Sequence, residues 1–148
     1  MNEEEQRFVE RMGRHFEAEG VPRIGGRLFG FLLLQEEPRS LDEMTEHLRV
    51  SKTSVSTNAR LLEQLGLIQR VTRPGDRKDY YEVAPDQTRT LEFRLRHIRE
   101  MGDLLAEAAR GFSDRPLLQK RLTQMRRYNA EALTLLEELL ERWRSQKG

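Results

Sequence analysis

The chain contains no cysteine, one tryptophan and only five prolines in 148 residues. Without Cys there is no disulfide-built fold and no thiolate-held zinc or iron–sulfur centre. Long apolar runs are also missing. The longest, Phe31–Leu34, is far short of the roughly 20 residues a membrane-spanning helix requires. The opening Met1-Asn2-Glu3-Glu4-Glu5 lacks the basic and apolar segments of a secretory signal, so a cytoplasmic location is expected. No glycine-rich loop follows a strand-like run, which removes the common phosphate-binding motifs, and no cofactor is expected. His15, His47 and His97 fall on three separate helical stretches, with neither metal-ligand spacing nor a paired nucleophile. Neither catalysis nor a metal site finds support, and the expectation is a protein that is not an enzyme.

Charge, by contrast, is abundant: 34% of residues are Asp, Glu, Lys or Arg against 36% apolar, and the formal net charge is only +1. That near-neutrality comes from cancellation. Residues 1–20 hold three Arg and six Glu, and residues 21–50 hold four basic and five acidic residues. Residues 51–85 hold six basic and four acidic, and 86–148 hold thirteen and ten. Within the middle segment Arg70, Arg73, Arg77 and Lys78 are bunched. Local charge, rather than the sum, sets the field at a binding face.

Hydrophobic spacing divides the chain into elements. Phe8, Val9, Met12 and Phe16 predict a helix over 3–19, stopped by Gly20 and Pro22. A second helix runs from about Ile24 to Leu34 and contains Gly25, Gly26 and Gly30. Each glycine weakens a helix by about 0.5–1 kcal/mol, so three together imply a closely packed neighbouring backbone. After a loop at Glu36–Arg39, Ser40 and Glu43 open a short helix with Leu41, Met44 and Leu48 on its apolar face. Ser51 caps the next helix, which reaches about Leu65 and carries Val55, Ala59, Leu62 and Leu65 inward. Two short helices joined by a tight turn form a helix-turn-helix pattern. Periodicity then changes to two at Leu67–Thr72 and Tyr80–Val83, around the basic Pro-Gly turn Arg73–Lys78. This completes a winged helix.

From Asp86 onward the pattern is helical again. Leu91, Leu95, Ile98, Gly102, Leu105, Ala109 and Phe112 form one stripe; Leu118, Leu122, Met125, Asn129, Ala132, Leu136, Leu139 and Trp143 form a second. The second helix is about 45 Å long at 1.5 Å per residue. Its apolar excess implies a second subunit, with Leu122 and Leu136 expected at the interface.

The order of these elements resembles the MarR family of dimeric transcription regulators. Three segments resemble the family's GbsR-like branch: Val21-Pro22-Arg23-Ile24-Gly25-Gly26-Arg27-Leu28-Phe29-Gly30, Val50-Ser51-Lys52-Thr53-Ser54-Val55-Ser56 and Pro74-Gly75-Asp76-Arg77-Lys78-Asp79-Tyr80-Tyr81. The resemblance implies a homodimer whose second helices enter adjacent major grooves of a palindromic double-stranded DNA site, with the wings alongside. It also implies a small-molecule effector related to choline or betaine, and it has the matching Asp and Arg stabilise and tip the wing. The fold expected is mainly α with a small β-wing. An N-terminal helix (1–20) contributes to dimerisation, a winged helix-turn-helix domain (21–85) binds DNA, and long C-terminal dimerisation helices (86–148) follow.

With Val55 inward, Thr53, Thr57, Arg60 and Gln64 face outward, flanked by Ser54 and Ser56. Such residues reach base edges, and Arg60 suits either guanine or a phosphate. Ser51 and Lys52, with the free amides opening their helix, suit a phosphate oxygen. Arg73, Arg77 and Lys78 suit phosphate or minor-groove contact. Asp76 reads as a turn former that also holds Arg77. Tyr80 and Tyr81 alternate, which places one of them in the core. Phe29, Phe31, Phe93, Phe112, Tyr128 and Trp143 are either core and interface residues or members of a cage for a quaternary ammonium. The functional expectation is a sequence-specific DNA-binding repressor released by its effector. The alternative is a helical interaction module whose winged helix binds a protein partner.

Overall fold

The computed structural model describes residues 1–146. Its elements are α1 (Glu3–Ala18), α2 (Arg23–Leu33), β1 (Arg39–Ser40), α3 (Leu41–Leu48), α4 (Lys52–Gln64), β2 (Ile68–Thr72), β3 (Asp79–Val83), α5 (Thr88–Gly111) and α6 (Pro116–Gln146). They fall into two compact units, the first comprising Met1–Gln87 and the second beginning at Thr88. The fold is mainly helical with one small antiparallel sheet, a winged helix followed by long C-terminal helices.

In the first unit α1 opens on a reciprocal cap. The Asn2 side chain accepts from the Glu5 amide at 2.8 Å, and the Glu5 carboxylate accepts from the Asn2 amide at 2.8 Å. α1 then crosses α2 at glycine. A Cβ on Gly26 would stand 2.6 Å from the Met12 carbonyl oxygen and 2.8 Å from the Gly13 Cα. Gly30 meets Met12 in the same way, whereas Gly25 faces Asn58 and Leu62 of α4. Side chains at these positions would separate the helices, so the cost of glycine is offset by close packing on both faces of α2. Arg27 spans the join, donating to Glu10 at 2.8 Å and to the Leu48 carbonyl at 3.1 Å.

Below this crossing, Leu28, Phe31, Met44, Leu48, Val55, Ala59, Leu62 and Ile68 form the buried core. The α3–α4 turn is made at Arg49, whose φ of 55° is left-handed and whose amide closes on the Thr45 carbonyl. The sheet has the order β1-β3-β2, with Val71 opposite Tyr80 and Arg70 opposite Tyr81. Its third strand, β1, lies where the sequence suggests only loop, since two residues are too few to display alternation. The extra strand makes β3 central, and both tyrosines are buried rather than one. Tyr81 joins the core, while Tyr80 lies under the Arg73 guanidinium, 3.8 Å above its ring.

The second unit is an antiparallel helical hairpin. Arg144 near the end of α6 pairs with Glu92 near the start of α5 at 2.9 Å, and Arg99 pairs with Glu137 at 3.5 Å. Leu91 and Leu95 pack on Leu140, with Leu133, Leu136 and Leu139 around them. Midway, Asn129 donates to the Ile98 carbonyl at 3.1 Å, over the gap left by Gly102. Leu122 is buried inside the chain, and Leu136 is partly buried against the hairpin core. Part of the predicted stripe on α6, including Asn129, Leu136 and Leu139, packs against α5 and the hairpin core. The large apolar residues left exposed on α6 are Leu117, Met125, Tyr128, Leu135 and Trp143.

Candidate nucleic-acid interface

The outward face of α4 begins at its cap. The Ser51 side chain accepts from the Ser54 amide at 3.1 Å and its hydroxyl donates to Ser54 Oγ at 2.9 Å. Ser51, Lys52, Thr53, Thr57 and Arg60 are exposed, whereas Ser54 and Ser56 are half-buried at the edges of the helix. Inward, the sequence stripe omits Asn58, which is buried with Val55 and Ala59 and donates to the Ser54 carbonyl at 2.8 Å. Its Oδ1 lies in the space that a side chain on Gly25 would enter. A polar residue on an apolar stripe has no periodic signature, and its proximity to Gly25 is tertiary.

The wing carries its own bracing. Gly75, with φ of 77°, makes the turn, and the Asp76 amide donates to the Arg73 carbonyl at 3.1 Å. Asp76 then accepts from the Lys78 amide at 2.9 Å and from the Tyr80 hydroxyl at 2.6 Å. Those bonds, led by the Tyr80 hydroxyl, hold the Asp76 carboxyl below the usual carboxylate range; the same contact pushes the Tyr80 phenol up. Tyr80 and the Lys78 amide, not Arg77, are therefore the partners of Asp76, because the turn directs the carboxylate back toward β3.

Between helix and wing stands Asp42, in the first turn of α3. Its carboxylate lies 3.1 Å from Lys52 Nζ and 3.7 Å from Lys78 Nζ. One acid thus ties the start of α4 to the base of the wing on a common surface. The hydrogen bond from Lys52, then its charge, lowers the Asp42 pKa. Sequence reading missed Asp42 because an acid in the first helical turn is ordinary.

The predicted cations therefore differ in freedom. Lys52 and Lys78 share Asp42; Arg73 stacks on Tyr80 and donates to the Pro38 carbonyl at 3.1 Å. Arg70 is held by Glu63 at 3.1 Å and Asp79 at 3.4 Å. Arg60 and Arg77 are exposed and have no hydrogen-bond or ion-pair partner among the described residues.

Four of the six aromatic residues considered for a cage have other partners, whereas Tyr128 and Trp143 are exposed. Phe29 stacks on Phe16, Phe31 on His47, Phe93 tilts against His97, and Phe112 lies beneath Arg115. Among the described residues no three His, Asp or Glu side chains converge as a metal site, and no helix is long and apolar enough to cross a membrane.

A helix-turn-helix with a polar outer face and a braced basic hairpin beside it defines a winged-helix transcriptional regulator. The sequence profile of the MarR family matches residues 19–79. The HTH-type transcriptional regulator MmpR5 of Mycobacterium tuberculosis is 35% identical over 144 residues, spanning 95% of this chain and 87% of that protein. The HTH-type transcriptional repressor GbsR of Bacillus subtilis is 34% identical over 67 residues, 45% of this chain and 37% of its own. A crystal structure described as a transcriptional regulator superposes with a TM-score of 0.88 at 34% identity, covering 96% of this chain and 99% of that one. The chain belongs to the MarR family.

Proposed function

We propose that the protein is a homodimeric repressor that binds a palindromic operator through α4 and the wing and is released by a small effector. The observation that carries this reading is the Asp42 bridge, which brings Lys52 of α4 and Lys78 of the wing to one acid and hence to one surface. On that surface Thr53, Thr57 and Arg60 face base edges in the major groove, with Ser51, Ser54 and Ser56 at the margins. Lys52, Lys78 and Arg77 contact phosphates, with Arg77 best able to enter the minor groove because no internal partner holds it. Arg73 serves chiefly to fix the wing against Tyr80 and Pro38, and reaches phosphate from there. Repression is steric, and the effector acts by favouring a spacing of the two reading heads that no longer fits adjacent grooves.

The resemblance of three segments to the GbsR-like branch is what supports a choline- or betaine-like effector. Fluorescence anisotropy with the DNA upstream of the protein's own gene, across a salt series, tests the binding reading. Affinity must fall steeply with salt, and combined Arg60→Glu and Arg77→Glu must abolish it. Binding that is absent at low salt, or unchanged by both reversals, overturns it. Addition of choline or glycine betaine to the preformed complex tests release.

A further inference from the structure

α2 lies against α1 on one side and α4 on the other, and Arg27 is the cation set into that contact. Its side chain is only 19% exposed, too enclosed to serve as a phosphate contact. The stem crosses α1 at Gly13, where a Cβ would stand 2.7 Å from Arg27 Cγ. Glycine in the middle of α1 weakens that helix, and the passage of Arg27, with Arg23 beside it, accounts for its presence. Beyond Gly13 the guanidinium divides between two elements. Nε donates to Glu10 of α1 at 2.8 Å, and Nη2 donates at 3.1 Å to the carbonyl of Leu48, the last residue of α3.

That carbonyl lies where the direction of α4 is set. A helix leaves its last carbonyls unpaired and partially negative, so a cation there is favourable. The next residue, Arg49, turns the chain in the left-handed region at φ 55°. A residue with a Cβ is uncommon in that conformation and holds it only where its surroundings enforce it. Two residues further on, Ser51 caps α4. Arg27 is thus bonded to the peptide that leads into α4 and, from the same planar head, to α1. Gly25 completes the hold, since its missing side chain admits Asn58 and Leu62 of α4 against α2. Asn58 in turn donates to the Ser54 carbonyl in the first turn of α4.

We propose that Arg27 is a positioning residue for base reading: it fixes the angle at which α4 leaves the turn and refers that angle to Glu10 of α1. The inference rests on the DNA-binding reading of α4 and adds the residue that aims it. Base-edge contacts depend on the alignment of Thr53, Thr57 and Arg60 within the groove, whereas the phosphate contacts of Lys52, Arg77 and Lys78 depend mainly on charge. Loss of the Arg27 fork therefore lowers discrimination between sequences and leaves the charge-driven part of binding in place. Lysine is no substitute, because its single ammonium lacks the fixed fork that reaches two acceptors at a set angle. A movement of α1 reaches α4 by the same route, through Glu10 and Arg27.

The test compares two duplexes of equal length by fluorescence anisotropy at one salt concentration: the DNA upstream of the protein's own gene, and a scrambled sequence of the same composition. Arg27→Lys keeps the charge, so it should lose roughly tenfold in affinity for the first duplex and little for the second. Glu10→Ala and Glu10→Gln remove the same charge, but only glutamine still offers an acceptor to Nε. Glu10→Ala should therefore discriminate less well than Glu10→Gln. Combined with Arg27→Lys, it should add little further loss, because both act through one contact. Helical circular dichroism and melting temperature are measured in parallel. Should Arg27→Lys not fold, the two Glu10 variants carry the comparison, since that side chain is 45% exposed. A parent protein that binds both duplexes equally, or neither, would remove the DNA-reading proposal itself and this inference with it. With a discriminating parent, variants that discriminate as well as it does overturn the positioning role alone. So does a loss shared equally by both duplexes and matched by a fall in helicity, which is what a purely structural residue would give.

Discussion

Asp42 reaches the ammonium of Lys52 at 3.1 Å, and so joins the opening turn of α3 to that of α4. The same carboxylate takes Lys78 from the wing at 3.7 Å. Two lysines that suit phosphate are therefore partly neutralised before any phosphate arrives. The side chains remain more than half exposed, so the bridge is open to competition from an incoming anion.

Replacement of Asp42 by Asn should therefore tighten DNA binding rather than weaken it. With the acid removed, the Lys52–Lys78 pair presents one more unit of positive charge, and the salt dependence should steepen by about one phosphate equivalent. Anisotropy titrations at several salt concentrations measure both quantities. A loss of affinity at every salt concentration would mean that Asp42 chiefly positions the lysines.

The contact between Asp76 and Tyr80 makes wing stability depend on pH in two opposite senses. The folded pKa of Asp76 is depressed, so its contribution is full above the ordinary carboxylate range and disappears as pH falls through the lowered value. That of Tyr80 is raised, so its contribution is full below the ordinary phenol range and disappears as pH rises through the raised value. Asp76→Ala should consequently speed amide exchange in β2 and β3 near neutral pH. The gap from the parent protein should close in strong acid and again in strong alkali. A gap independent of pH would show that the turn holds without this bond.

At the α1–α2 crossing, Gly26→Ala brings a Cβ to 2.6 Å from the Met12 carbonyl oxygen, and backbone cannot yield as a side-chain tip can. Destabilisation of about 1–3 kcal/mol is expected. Gly111→Ala is the control: its added Cβ meets nothing within 4 Å, and thermal stability should be unchanged or slightly raised. Equal melting temperatures for the two variants would contradict the close approach.

Much of this architecture was legible because its signals are local. Ser40 and Ser51 cap the helices they precede, Gly75 turns the wing, and the glycines of α2 anticipate a near backbone. What escaped detection depends on tertiary placement. β1 is strand only because β3 lies beside it, where Ser40 pairs with the buried Tyr80. Asp42 acquires its role from Lys52 and Lys78, neither of which is close to it in sequence. On α6, periodicity revealed that an apolar surface exists but not which part of it α5 covers. With heptad-like spacing, the inner and outer arcs run together in the sequence.

That division decides how dimerisation must be probed. Leu122→Glu places a charge among residues buried inside the hairpin, so it should unfold the second unit and report nothing about subunits. Met125→Glu with Leu135→Glu alters residues that are 50% and 65% exposed in the single chain. This pair should leave helical circular dichroism intact while light scattering shows monomers, and operator binding should fall with the loss of the second reading head. If the pair remains dimeric and Leu122→Glu alone yields folded monomers, then the inner stripe is the interface and α5 is displaced from it in the dimer.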